Sequence, residues 1–108
     1  MPDMDFDQTI RDAIGAAKEG LLDDWGDIKE YVRDITYSAR DRMAKVSAYR
    51  LAGKLDDGAY NRIMEAERDL AQAHALSLKI AQKAALQKAI NTIFDVILKA
   101  VSTAAGIP

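Results

Sequence analysis

The sequence predicts an all-α protein built as a long antiparallel helical hairpin, and three observations carry that reading. Apolar residues recur at steps of three and four along both halves of the chain. The two prolines, Pro2 and Pro108, stand at its ends, and one strong turn, Gly53-Lys54-Leu55-Asp56-Asp57-Gly58, falls almost at the midpoint of the 108 residues. A chain rich in Ala, Leu, Lys, Arg and Gln and free of internal proline favours helix throughout.

The first arm spans about 5–52. Its apolar stripe reads Phe6, Ile10, Ile14, Ala17, Leu21, Trp25, Ile28, Val32, Ile35, Ala39, Met43 and Val46, so one helix face stays apolar over most of the arm. Asp5 followed by Gln8 resembles a capping box, and Asp3, Asp5 and Asp7 suit the positive end of a helix. Gly15, Gly20 and Gly26 weaken the arm, and a kink or short break is expected over Gly20–Asp27. The turn occupies 53–56. Gly53 suits the left-handed position that closes a helix, Asp56 the cap that opens the next, and Leu55 and Tyr60 the two ends of a hydrophobic staple around it; Gly58 completes the turn sequence.

The second arm spans about 57–104. Ile63, Ala66, Leu70, Ala73, Ile80, Ala84, Phe94, Leu98 and Val101 follow a 3.5-residue repeat, interrupted at Ser77, Gln87 and Asn91. Gly106, Ile107 and Pro108 form a helix stop. Two arms of this length would each reach about 70 Å. Charge supports the antiparallel register. Residues 1–30 hold nine acids and three bases, and residues 79–108 hold four bases and one acid. Nearer the turn, Arg33, Arg40, Arg42, Lys45 and Arg50 face Glu65, Glu67 and Asp69. Asp95 and Lys99 are spaced as a surface pair.

At 49% hydrophobic and 30% charged residues the chain is one folded domain, not a disordered tail. There is no cysteine, which excludes disulfide staples, thiol catalysis and Cys-based zinc sites. The acidic N-terminus lacks the apolar core of a signal peptide and no uncharged run spans a bilayer, so a cytoplasmic location is the default expectation. A net charge of −2 offers no general affinity for nucleic acid, and Asp34 and Asp41 interrupt the one basic stretch.

His74 is the only histidine, and Ala71 stands where a Glu-x-x-His metal motif needs its carboxylate. Asp23, Asp24 and Asp27 lack the spacing of a calcium loop and read as helix capping. No catalytic residue, cofactor or metal is therefore expected.

Two helices bury only one stripe each, and the C-terminal segment is apolar around much of its circumference. The leading expectation is a non-enzymatic module that self-associates into a four-helix or larger bundle, or docks on another helical protein. Ile90, Ile93, Phe94, Ile97 and Val101 would anchor that interface, facing Phe6, Ile10 and Ile14, with Gln87 and Asn91 setting register. A rival topology folds residues 5–20 back as a third helix. The alternative function is a membrane-interacting amphipathic hairpin, with Lys83, Lys88 and Lys99 reaching headgroups; a metal-binding bundle is the third.

Overall fold

Asp5 opens the fold as its sequence position indicates. The structure, a computed structural model, describes residues 4–106. The Asp5 carboxylate accepts from the Gln8 backbone N–H at 3.1 Å, and α1 runs Phe6–Leu21. The reciprocal half of the capping box is not made, because the Gln8 side chain donates to Asp12 and accepts from Arg11. A short 3-10 turn, Leu22–Asp24, then leads into α2, Trp25–Leu51.

The break lies inside the Gly20–Asp27 window, but it reverses the chain. Arg40 Nε donates to Asp7 Oδ1 at 2.7 Å across a separation of 33 residues. On a collinear pair of helices these groups would stand about 50 Å apart. α1 therefore lies antiparallel against α2, as in the rival topology. The turning residue is Leu22, at φ 51°, and none of the neighbouring glycines takes a positive φ. Leu21 and Trp25 on either side of it are buried, and that burial sets the turn.

The central turn forms as the sequence indicates. Gly53 has φ 76°, its N–H bonds Arg50 O at 3.1 Å, and the Lys54 N–H bonds Tyr49 O at 2.9 Å. This pair of bonds is a Schellman closure. Asp56 Oδ1 accepts from the Ala59 N–H at 2.7 Å, and α3 runs Asp57–Ala73. Leu55 is half-buried, Gly58 sits in the first turn of α3, and Tyr60 is buried.

The second arm also breaks, which the sequence reading did not foresee. A 3-10 turn, His74–Ser77, and extended backbone at Leu78 and Lys79 separate α3 from α4, Ile80–Ala104. No glycine or proline lies between 59 and 105, so no local residue forces the interruption. Burial supplies the reason. Folding α4 back lets α1, α2 and α3 all pack on its wide apolar face, and such packing outweighs a few intact helical hydrogen bonds. Arg68 Nη2 meets Asp95 Oδ1 at 2.9 Å, so Asp95 pairs between helices rather than with Lys99. The Gln72 amide donates to Gln87 O and Asn91 Oδ1, which places the two expected register residues on the α3–α4 seam.

Among the described residues the chain is thus all-α, and its four α-helices run up, down, up, down in one bundle. Its long axis is 43 Å and its cross-section 22 × 22 Å, so the arms do not extend to 70 Å. α1 and α4 share the most extensive helix contact. The buried stripe of α1, Ile10, Ala13, Ala17 and Leu21, is narrow enough at its alanines for close approach. Gly106, at φ 77°, closes α4; Ile107 and Pro108 of the expected stop, with Asp3 and Pro2, lie outside the described residues.

One buried polar pair stands between α2 and α3: the Ser47 and Tyr60 hydroxyls lie 2.8 Å apart. Burial holds the Tyr60 phenol above its usual range. Tyr60→Phe is expected to cost about 1 kcal/mol at neutral pH, by stranding the Ser47 hydroxyl. The raised folded-state value adds a pH signature. The wild-type contribution is complete below the ordinary phenol pKa of 10.0 and is lost as pH rises through the higher folded value. The gap between wild type and Tyr60→Phe in urea midpoint should narrow above about pH 10. A gap that stays constant would show that Tyr60 is not shielded.

Candidate functional site

Where the C-terminal interface was expected, the structure shows core. Ile90, Ile93, Phe94, Ile97 and Val101 are buried within the single chain, as is Ile10, while Phe6 and Ile14 pack partly buried against them. α1 covers α4 from within the same molecule, so these side chains are buried in the chain's own core. The reason is the pair of reversals, the fold-back of α1 given by the rival topology and the unexpected one between α3 and α4, which assemble four helices from one copy.

A different face remains open. On α2, Tyr31, Ile35, Ser38, Arg42, Val46 and Tyr49 follow one another at steps of three and four, so they share one side. On α3, Ile63, Glu67 and Leu70 do the same, and His74, the first residue of the following 3-10 turn, continues their line. The two sides meet across the bundle surface, and a groove runs between them. One stretch is lined by Ile35, Ser38, Ala39, Arg42, Glu67, Leu70, Ala71 and His74. The next, toward the α3–α4 reversal, is lined by Tyr31, Asp34, Ile35, Ser38, His74, Ser77 and Leu78.

Two large side chains on its shoulders face solvent: Tyr31 and Leu70 are both exposed, Leu70 by 55%, and Tyr49 and Ile63 are exposed farther along the same two helices. A two-pronged ion pair crosses it, with Arg42 Nε and Nη2 donating to Glu67 Oε1 and Oε2 at 2.8 and 3.0 Å. That pair raises the Arg42 pKa and pins the two helices at mid-groove. Behind it Ile35, Thr36, Ala39, Met43, Ala71, Ile90, Ile93 and Phe94 enclose about 10 Å³, room for a single water at most. The floor is closed packing, and the groove is a surface feature.

The remaining sequence candidates are dispersed. Of the basic stretch, Arg40 turns to Asp7 and Asp41, Arg42 to Glu67, and Arg50 approaches Asp57 at 3.8 Å. Arg40 holds the Asp7 carboxyl below its usual range by hydrogen bonding. His74 is exposed in the groove wall, and among the described residues no group of three or more His, Cys, Asp or Glu is placed to hold a metal ion.

Comparison with protein-family models, with curated proteins and with solved structures finds no match for this chain.

The groove was legible only in part. Ile63 and Leu70 appear in the 3.5-residue stripe of the second arm, which reads as a core stripe. The structure instead buries the neighbouring stripe of Tyr60, Met64, Ala71 and Ala75 and leaves Ile63, Ala66, Leu70 and Ala73 facing outward. α3 thus carries two apolar stripes. A helix with more apolar surface than its own core consumes is the signal that was present.

Proposed function

We propose that the protein is a non-enzymatic interaction module that receives a partner helix along the α2–α3 groove. One observation carries this reading: large exposed side chains from two helices converge on a single face, while the bundle's own core is already complete. A helix laid in such a groove buries its apolar stripe between the two shoulders. Tyr31 and Leu70 are the anchors, since a large aromatic and an aliphatic side chain flanking a groove supply most of the contact energy. The Arg42–Glu67 pair sets the polar rim and the separation of the walls. The partner is another helical protein or a second copy of this one.

The membrane reading has less support. The face it needs lies inside the bundle, and among the described residues no helix is long and apolar enough to cross a membrane.

Selection of helical peptides from a display library against the immobilised protein tests the groove. Binders should shift the NMR amide signals of Tyr31–Arg42 and Glu67–His74, and a Tyr31→Glu/Leu70→Glu variant should weaken them at least about tenfold. Both substitutions are at exposed positions, so the fold should persist. Peptides that bind this variant as tightly as wild type, or that shift signals elsewhere, would refute the groove.

A further inference from the structure

The two chain reversals at 22–24 and 74–79 lie at the same end of the bundle, held together where Lys88 Nζ donates to Gly20 O at 3.1 Å. This end carries the three most exposed large apolar side chains among the described residues: Ile80 at 88%, Leu22 at 77% and Leu76 at 67%. Leu22 bears two costs at once. Its φ of 51° is a region that side-chain-bearing residues avoid, and its side chain points into solvent. Gly20, two residues earlier, shows that glycine is at hand in this segment. A strained residue that also exposes apolar surface points to a use.

Charge says what covers the end. The first reversal, residues 19–27, holds Glu19, Asp23, Asp24 and Asp27 and no base. The second lies in residues 70–94, which hold His74, Lys79, Lys83 and Lys88 and no acid. Among the described residues none of Glu19, Asp23, Asp24, Asp27, Lys79 or Lys83 makes an ion pair within the chain. The end is therefore an apolar patch with an acidic lobe on one side and a basic lobe on the other. Turned by a two-fold axis, such a surface is complementary to itself.

We propose that the protein forms an end-to-end two-fold dimer through this surface. The acidic lobe of each copy faces the basic lobe of the other, and Leu22, Leu76 and Ile80 meet at the centre. The bundle cross-section of 22 × 22 Å limits the contact to about 480 Å² per copy. That is at the low end for specific interfaces, so the dimer is weak and exchanges readily. It is a separate surface from the helix-binding groove, which runs along the α2–α3 side of the bundle.

Sedimentation velocity across a wide concentration range, at low and high salt, tests the dimer. Wild type should self-associate at low salt, and about 0.5 M salt should weaken the association roughly tenfold by screening the lobes. Leu76→Glu/Ile80→Glu should remain monomeric with an unchanged helical CD spectrum. Leu22→Gly should dimerise less while its thermal midpoint rises, because the strain and the contact leave together. Two charge-reversed variants provide the decisive arm: Asp23→Lys/Asp24→Lys and Lys79→Glu/Lys83→Glu. Each alone should be monomeric, and an equimolar mixture should form a heterodimer. A mixture that stays monomeric, or a wild type that stays monomeric at every concentration and salt, would overturn the proposal. So would dimerisation that survives Leu76→Glu/Ile80→Glu.

Discussion

Ile97→Asp is expected to unfold the protein as a monomer. Ile97 is fully buried on α4, inside the core that α1 closes. A carboxylate there loses the packing of the aliphatic side chain and must either stay charged in an apolar site or take up a proton. Loss of packing alone costs about 2–5 kcal/mol, and the polar group adds to it. A domain of this size has about 5–15 kcal/mol in total. The outcome should be a large drop in helical CD signal at neutral pH, independent of protein concentration. That independence separates an internal core from an interface between chains, where dilution would matter. A variant that keeps wild-type helicity at low concentration and changes only its mass would show that the α4 face lies between molecules.

Trp25→Ala should cost about 3–5 kcal/mol, the usual range for truncating a buried tryptophan. Trp25 is the first residue of α2 and is buried directly after the Leu22–Asp24 reversal. Its ring and Leu21 hold the point where α1 turns back, so the loss should fall unevenly. Hydrogen exchange should speed up first across α1, the helix that depends on this turn, and α3 should keep more of its protection. Uniform acceleration across all four helices would mean that the α1–α2 turn does not open by itself. Wild-type stability would mean that Trp25 is a surface residue.

The parts of the fold readable from the sequence are those with local chemistry. Asp5 and Asp56 cap through their own carboxylates to the N–H three residues on, and Gly53 takes the left-handed turn that only its missing Cβ makes cheap. The second reversal has no such signature. Ala73-His74-Ala75-Leu76-Ser77-Leu78 is acceptable helix sequence, and it breaks because α4 gains more by packing against three helices than by continuing α3. The first reversal was half legible. Its window was marked by glycines and acids, but the choice between a kink and a fold-back depended on whether Leu21 and Trp25 found a common core.

The groove follows the same division. Its residues are visible in the sequence as stripes, but a stripe does not say which neighbour it meets. α3 has two apolar stripes of similar strength, and only the position of α2 and α4 decided that Met64 and Ala71 go inward while Ile63 and Leu70 stay out. By itself the sequence determined the all-helical class, the central turn and its caps, and an excess of apolar surface over what one hairpin can bury. Tertiary structure decided that the excess is met mostly within one chain. Local propensity is worth tenths of a kcal/mol per residue, and the burial of a large apolar side chain about 1.5–3 kcal/mol, so where the two compete the long-range packing prevails.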